Sequence, residues 1–165
     1  MEKRVIAEHG FGPIYDKNSE ILILGSFPSL KSRKENFYYA NPRNRFWKVI
    51  AAIIETEVPV NVNEKKEMLL RNKIAVYDVI KSCSIEGSKD SSIKDVKLTD
   101  LLPVIKNSQI GSRIYTNGNK AWELYMKYTF PITKIEAIKL PSTSPANAAW
   151  SLDRLIAEWQ NIISS

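Results

Sequence analysis

The sequence predicts an α/β fold: a three-layer sandwich with a four-stranded parallel sheet between helices. Three observations carry that prediction. Short strand-like runs recur four times along the chain, and segments with helical spacing separate them. The clearest runs, Ile21–Leu24 and Ile74–Ile80, are almost continuously apolar, as in strands covered on both faces. The chain of 165 residues, 44% hydrophobic, is long enough for a core that takes roughly two-thirds of the unfolded surface out of water.

Glu20–Gly25 reads as the first strand, buried by its length and ended by Gly25. A polar and aromatic stretch from Ser26 to Arg43 follows and is expected to be a long loop, a feature that is often functional. Phe46, Val49, Ile50, Ile53 and Ile54 fall at helical spacing, with Asn44 as a fitting N-cap. A short helix is expected over Glu64–Arg71, capped by Asn63. Ile74–Ile80 is the second strand, and Lys81–Lys97, rich in Ser and Lys, is expected to be loop. Thr99–Asn107 reads as an amphipathic helix, Arg113–Thr116 as the third strand, Ala121–Tyr128 as a helix and Lys134–Leu140 as the fourth strand. Ser144 is a natural N-cap for the last helix, with Pro145 as its first residue. Leu152, Leu155, Ile156, Trp159, Ile162 and Ile163 share one face of that helix. No repeat or low-complexity tract interrupts the chain, and residues 1–165 are expected to form one domain.

In such folds ligands bind beyond the carboxyl ends of the strands. Those ends are Gly25-Ser26, Val79-Ile80, Asn117-Gly118 and Leu140-Pro141, so the loops after the first and last strands should face one cleft. A single cysteine, Cys83, excludes an intrachain disulfide and a four-cysteine metal or iron–sulfur site. A single histidine, His9, argues against a His-pair or Ser-His-Asp mechanism and is expected at the surface of a loosely held N-terminal segment. No signal peptide or membrane span is apparent, so a cytoplasmic protein without membrane contact is expected.

The net charge is +6, and the segment from Lys31 to Lys48 carries most of it: Lys31, Arg33, Lys34, Arg43, Arg45 and Lys48 against Glu35. Phe37, Tyr38, Tyr39, Phe46 and Trp47 are interleaved with these cations. Such a mixture suits a phosphate backbone and exposed bases, and equally a solvated face over core aromatics. After the last strand, Ser142, Thr143 and Ser144 precede the expected helix and could cradle a phosphate.

Three motifs taken together carry a resemblance: Gly25-Ser-Phe-Pro-Ser29, Phe37-Tyr-Tyr-Ala-Asn-Pro-Arg-Asn-Arg-Phe-Trp47 and Pro141-Ser-Thr-Ser-Pro-Ala-Asn147. They resemble the uracil-DNA glycosylase superfamily, closest to its hypoxanthine (deoxyinosine) branch and also similar to the mismatch-specific uracil/thymine branch. The segment running through Tyr77-Asp-Val, Ser82-Cys83 and Glu86-Gly-Ser88 is similar to the hypoxanthine branch as well. The resemblance covers nearly the whole chain, and its middle motif is the long, specific one. It implies the same sheet counted above. It also implies hydrolysis of the N-glycosidic bond of a base flipped out of damaged DNA, without metal or organic cofactor. Base release without strand cleavage is expected, by a monomer acting in base excision repair.

One departure bears on mechanism. Several branches place Asp or Asn at the third position of the first motif to hold the attacking water; here that position is Phe27, which can stack on a base but cannot orient water. The hypoxanthine branch is expected to use an Asn from the aromatic segment, and Asn41 and Asn44 both stand there. Asn44 has a capping role available, whereas Asn41 before Pro42 has no evident structural task, so Asn41 is favoured. Asp78, late in the second strand, is expected either to read the base edge or to cap or hydrogen-bond a neighbouring loop. Its carboxylate accepts from hypoxanthine N1–H or uracil N3–H and repels the N1 lone pair of adenine. Gly25, Ser26, Phe27, Pro28, Ser29, Tyr38, Tyr39, Ser142, Thr143, Ser144 and Asn147 are expected around the flipped nucleotide. Lys31, Arg33, Lys34, Arg43 and Arg45 are expected along the DNA backbone. Trp150 and Trp159 read as core and Cys83 as inert. Two other readings remain: a nucleic-acid-binding module of this fold without catalysis, and an α/β enzyme of nucleotides, disfavoured by the lack of a Gly-rich phosphate loop.

Overall fold

The computed structural model describes residues 3–163. Four strands, β2 (Ile21–Gly25), β3 (Ile74–Asp78), β6 (Ile114–Asn117) and β7 (Ile138–Leu140), form a parallel sheet in the order β3-β2-β6-β7. The predicted sheet is therefore present. Successive residues of β2 explain its unbroken apolarity: Ile21 and Ile23 enter one core, Leu22 and Leu24 the other. The first core packs against α2 (Phe46–Ile53) and α7 (Leu152–Trp159), through Phe46, Val49, Ile50, Ile53, Leu155 and Trp159. The second lies against α4 (Leu102–Lys106) and α5 (Asn119–Leu124), through Val104 and Leu124.

Lys81–Lys97 is not a loop. It holds β4 (Ile80–Glu86) and β5 (Lys94–Leu98), which join β1 (Arg4–Glu8) in an antiparallel sheet of order β1-β4-β5. Cys83 and Ile85 of β4 close the second core, and the serines that alternate with them, Ser82 and Ser84, are buried too. The chain passes from one sheet to the other at a bend just after Asp78. There Val79 N–H donates to Gly25 O at 2.9 Å and Ile80 N–H to Ser26 O at 3.1 Å.

Several boundaries move for local reasons. Ser26–Arg43 contains α1 (Leu30–Glu35), whose N-cap is Ser29. The cap of α3 (Val62–Arg71) is Asn61 rather than Asn63, in a reciprocal capping box with Glu64. The last helix starts at Leu152 under Ser151, not at Pro145, because Ser142–Trp150 is folded into turns of its own. The helix expected over Ala121–Tyr128 continues through a π-turn at Tyr125–Thr129 into α6 (Phe130–Thr133). β7 is also shorter than expected, beginning at Ile138 rather than Lys134. Among the described residues no helix is long and apolar enough to cross a membrane.

Candidate active site

The carboxyl ends of all four parallel strands open onto one pocket, as strand-end topology requires. Gly25 comes from β2, Asp78 from β3, Asn117 from β6 and the Ser142–Ser144 turn from beyond β7. The pocket holds about 600 Å³ of empty space, its solvent-open mouth included. Every residue expected around the flipped nucleotide lines it except Asn147, and Asn41 and Asn44 line it as well. Asn147 belongs to a neighbouring groove with Leu140 and Trp150, and its Nδ2 donates to Ser142 O at 3.0 Å.

Asn117, expected only as a strand end, organises this wall. Its Oδ1 accepts from Thr143 N–H at 3.0 Å and its Nδ2 donates to Thr143 Oγ1 at 2.9 Å. The fully buried Thr143 hydroxyl donates in turn to Asn44 Oδ1 at 2.7 Å. Asn44 Oδ1 also accepts from Phe46 N–H at 2.9 Å, the capping interaction expected of it. Its carbonyl oxygen therefore has two donors already. Asn41 has a structural task after all: its Oδ1 accepts from Arg43 N–H at 2.9 Å in a turn around Pro42. That oxygen keeps one acceptor site open.

No helix points its N-terminus at the pocket from the Ser142–Ser144 turn. The turn is held by Ser144 N–H donating to Ser142 Oγ and Ala146 N–H to Ser144 Oγ. Both hydroxyls keep their own protons to give. Ser26 and Ser29 do not: Ser26 Oγ donates to Asp90 Oδ1 at 2.9 Å, and Ser29 Oγ to Ser32 Oγ at 3.2 Å. Asp90, Ser88 and Ser32 also line the pocket and were not foreseen. Both Asp90 and Ser88 lie within Lys81–Lys97, the segment expected to be loop. Loss of water around the Asp90 carboxyl pushes it above the ordinary carboxylate range, opposed by the Ser26 bond.

The aromatic segment is mainly core. Phe37, Tyr38, Phe46 and Trp47 are buried. Tyr38 meets the pocket, but its hydroxyl donates inward to Gly12 O at 2.8 Å. Tyr39 stacks on Phe46 at 4.0 Å, and its buried hydroxyl makes no hydrogen bond among the described residues. Burial, and then the Asp78 charge, raise both phenols, opposed at Tyr39 by the nearby Asn117 side chain, so neither serves as a base. Phe27 is buried against the pocket, with the Arg33 guanidinium 5.2 Å above its ring.

The floor holds the largest departure from expectation. His9 is not at the surface. It is 3% exposed, and its Nε2 lies 2.7 Å from Oδ2 of Asp78, which is buried to the same degree. Gly25 is the register partner of Asp78 on the next strand. A Cβ on Gly25 would collide with Asp78 Oδ1 and come within 3.2 Å of the Tyr39 hydroxyl.

The cations divide by partner. Arg45 turns inward, donating to the carbonyls of Trp150, Ser144 and Asn147 and so tying the turn after β7 to the start of α2. Arg33 donates to Pro28 O and Gly87 O. Lys31 pairs with Glu35 at 3.0 Å on the surface. Lys34 and Arg43 are exposed.

The Uracil DNA glycosylase superfamily model matches residues 13–162, nearly the whole chain. The chain belongs to the uracil DNA glycosylase superfamily. This glycosylase is 37% identical over 158 residues to a hypoxanthine DNA glycosylase of Methanosarcina acetivorans, covering 94% of its own length and 97% of the relative's. It is also 37% identical over 123 residues to a hypoxanthine DNA glycosylase of Methanosarcina barkeri, covering 70% and 74%. A solution NMR structure from Methanosarcina acetivorans, of a protein provisionally assigned as a uracil DNA glycosylase, superposes with a TM-score of 0.78 at 34% identity, covering 96% of this chain and 99% of that one.

Proposed function

We propose that this DNA glycosylase releases hypoxanthine from deoxyinosine in DNA, with uracil as a second substrate, in base excision repair. The observation that carries the base assignment is the Asp78 carboxylate at the pocket floor: one oxygen is held by His9, and the other, which accepts no hydrogen bond among the described residues, lies over Gly25. An acceptor there takes N1–H of hypoxanthine or N3–H of uracil and meets the N1 lone pair of adenine with repulsion. The names of the two Methanosarcina relatives support the same base.

Asn41 holds the attacking water, since its Oδ1 has acceptor capacity left while Asn44 Oδ1 is engaged twice. An amide is a weak base, but an oxocarbenium-like transition state asks chiefly for a placed water and a stabilised leaving base. The water oxygen bonds to C1′, and the pair of the C1′–N bond leaves with the base. One water proton stays on the new C1′ hydroxyl, and the other passes to the departing base. Ser142 and Ser144, whose hydroxyl protons remain free, contact the flanking phosphates. No amine nucleophile takes part, so the strand stays intact.

Single-turnover base release from duplexes carrying deoxyinosine, uracil or no lesion tests this reading. Hypoxanthine release that falls about 100-fold or more in Asn41→Ala is expected, a loss of the size seen when one positioning group is removed. Release unaffected by Asn41→Ala would move the water to another residue. Release of uracil alone would overturn the base assignment.

A further inference from the structure

His9 precedes the residues that match the family model, and the chemistry above gives it no part in the reaction. Yet it is held firmly. Its N–H donates to Lys81 O at 2.7 Å, and Gly10, at φ +82°, turns the chain beyond it. The Tyr38 hydroxyl donates to Gly12 O at 2.8 Å, and Ile14 exchanges two 2.9 Å backbone bonds with Val76. This strap from β1 to the edge of β3 presents the imidazole to Asp78, its one side-chain hydrogen-bond partner among the described residues. Rings surround it: Phe11 at 4.4 Å, Tyr77 at 5.4 Å, Tyr38 at 5.7 Å and Phe27 at 6.3 Å between centroids. Nδ1 is buried without a hydrogen-bond partner among the described residues. An apolar ring would suit that cage at lower desolvation cost, so packing alone does not account for a histidine here.

What the imidazole adds is direction. An aspartate carboxylate turns through a broad, roughly two-fold torsion. With Oδ2 engaged by His9, Oδ1 stays over Gly25 at the pocket floor. Without His9, the Tyr39 hydroxyl beside the same point offers a donor for the carboxylate to turn toward. We propose that His9 is a positioning residue for base specificity: its bond to Asp78 Oδ2 aims Oδ1 at the N–H of the flipped base. The inference rests on Asp78 reading the base edge, as proposed above.

The test compares release from duplexes carrying deoxyinosine and deoxynebularine, whose base has a lone pair at N1 and no N1–H. His9→Phe keeps the ring in the cage and removes the donor; His9→Gln keeps a donor. Hypoxanthine release should fall about 10- to 100-fold in His9→Phe, the effect of misplacing one hydrogen bond to a charged group. Nebularine release should not fall, since turning Oδ1 away removes only a repulsion from its N1 lone pair, so the ratio between substrates collapses. His9→Gln should restore part of the ratio. His9→Phe added to Asp78→Ala should have no further effect, because coupled residues are non-additive. Equal slowing of both substrates by His9→Phe, or slowing of neither, overturns the positioning role. Asp78→Ala without effect on hypoxanthine release overturns the base-reading role beneath it, a different outcome. Should His9→Phe not fold, the single histidine allows the test in the wild type: its Nε2 ¹⁵N resonance should shift when free hypoxanthine binds. An unmoved resonance under saturating base overturns the inference.

Discussion

Gly25 has no room for a side chain. A methyl there meets Asp78 Oδ1, and that carboxylate is tied to His9 and cannot swing away. Gly25→Ala should therefore destabilise the fold by about 1–3 kcal/mol, as overpacking does, and remove base release more completely than it removes folding. Thermal unfolding read beside single-turnover release checks both. At Cys83 the chemistry is passive. Burial pushes its thiol up, so folding favours the protonated form. Its contribution to stability is whole below the unfolded thiol's pKa and is lost as pH rises through the folded one. Labelling by a thiol reagent at pH 8 should be about tenfold or more slower in the folded protein than in urea, since only thiolate reacts. Equal rates would place the thiol in a reactive setting. The residues named around the pocket were legible because their motifs sit at strand ends. His9 was not: its role comes from a strap whose partners, Lys81, Tyr38 and Val76, are distant in sequence.

Among elements, the parallel strands were legible because burial on both faces forces an unbroken apolar run, a signal each strand carries alone. The antiparallel sheet carries no such signal. β4 is rich in Ser, and its burial is created by the flanking β1 and β5 and by the core beneath. Its polar composition therefore imitates a loop, and with it went Ser88 and Asp90 of the pocket wall. The start of the last helix was misplaced for a related reason. Ser144-Pro145 is a sound helix start locally, but Arg45 captures the carbonyls of that turn and holds it out of helix. Caps separate two neighbouring readings by measurement. Asn61 accepts from Glu64 N–H at 2.9 Å and has Glu64 reaching back. Asn61→Ala should cost about 0.5–2 kcal/mol in denaturant unfolding. Asn63→Ala, at an exposed position inside the helix, should cost little or nothing.

For the whole molecule, the +6 net charge matters as a field rather than as a contribution to folding. A glycosylase must hold a polyanion while it presents one base to the pocket, and the six cations between Lys31 and Lys48 lie on the chain that borders that pocket. They do not act alike. Arg33 and Arg45 donate to the protein's own carbonyls, whereas Lys34 and Arg43 are exposed. Each phosphate neutralised releases counterions, so the logarithm of duplex affinity falls linearly with the logarithm of salt concentration. Replacing Lys34 and Arg43 together by Gln should reduce that slope by roughly two while leaving the unfolding midpoint unchanged. Arg45→Gln should do the reverse. It should lower the midpoint and weaken base release through the loosened turn after β7, with a salt slope close to wild type. A slope that falls with Arg45→Gln and not with the exposed pair would reverse this assignment, making the inward arginine the DNA contact and the outward cations bystanders.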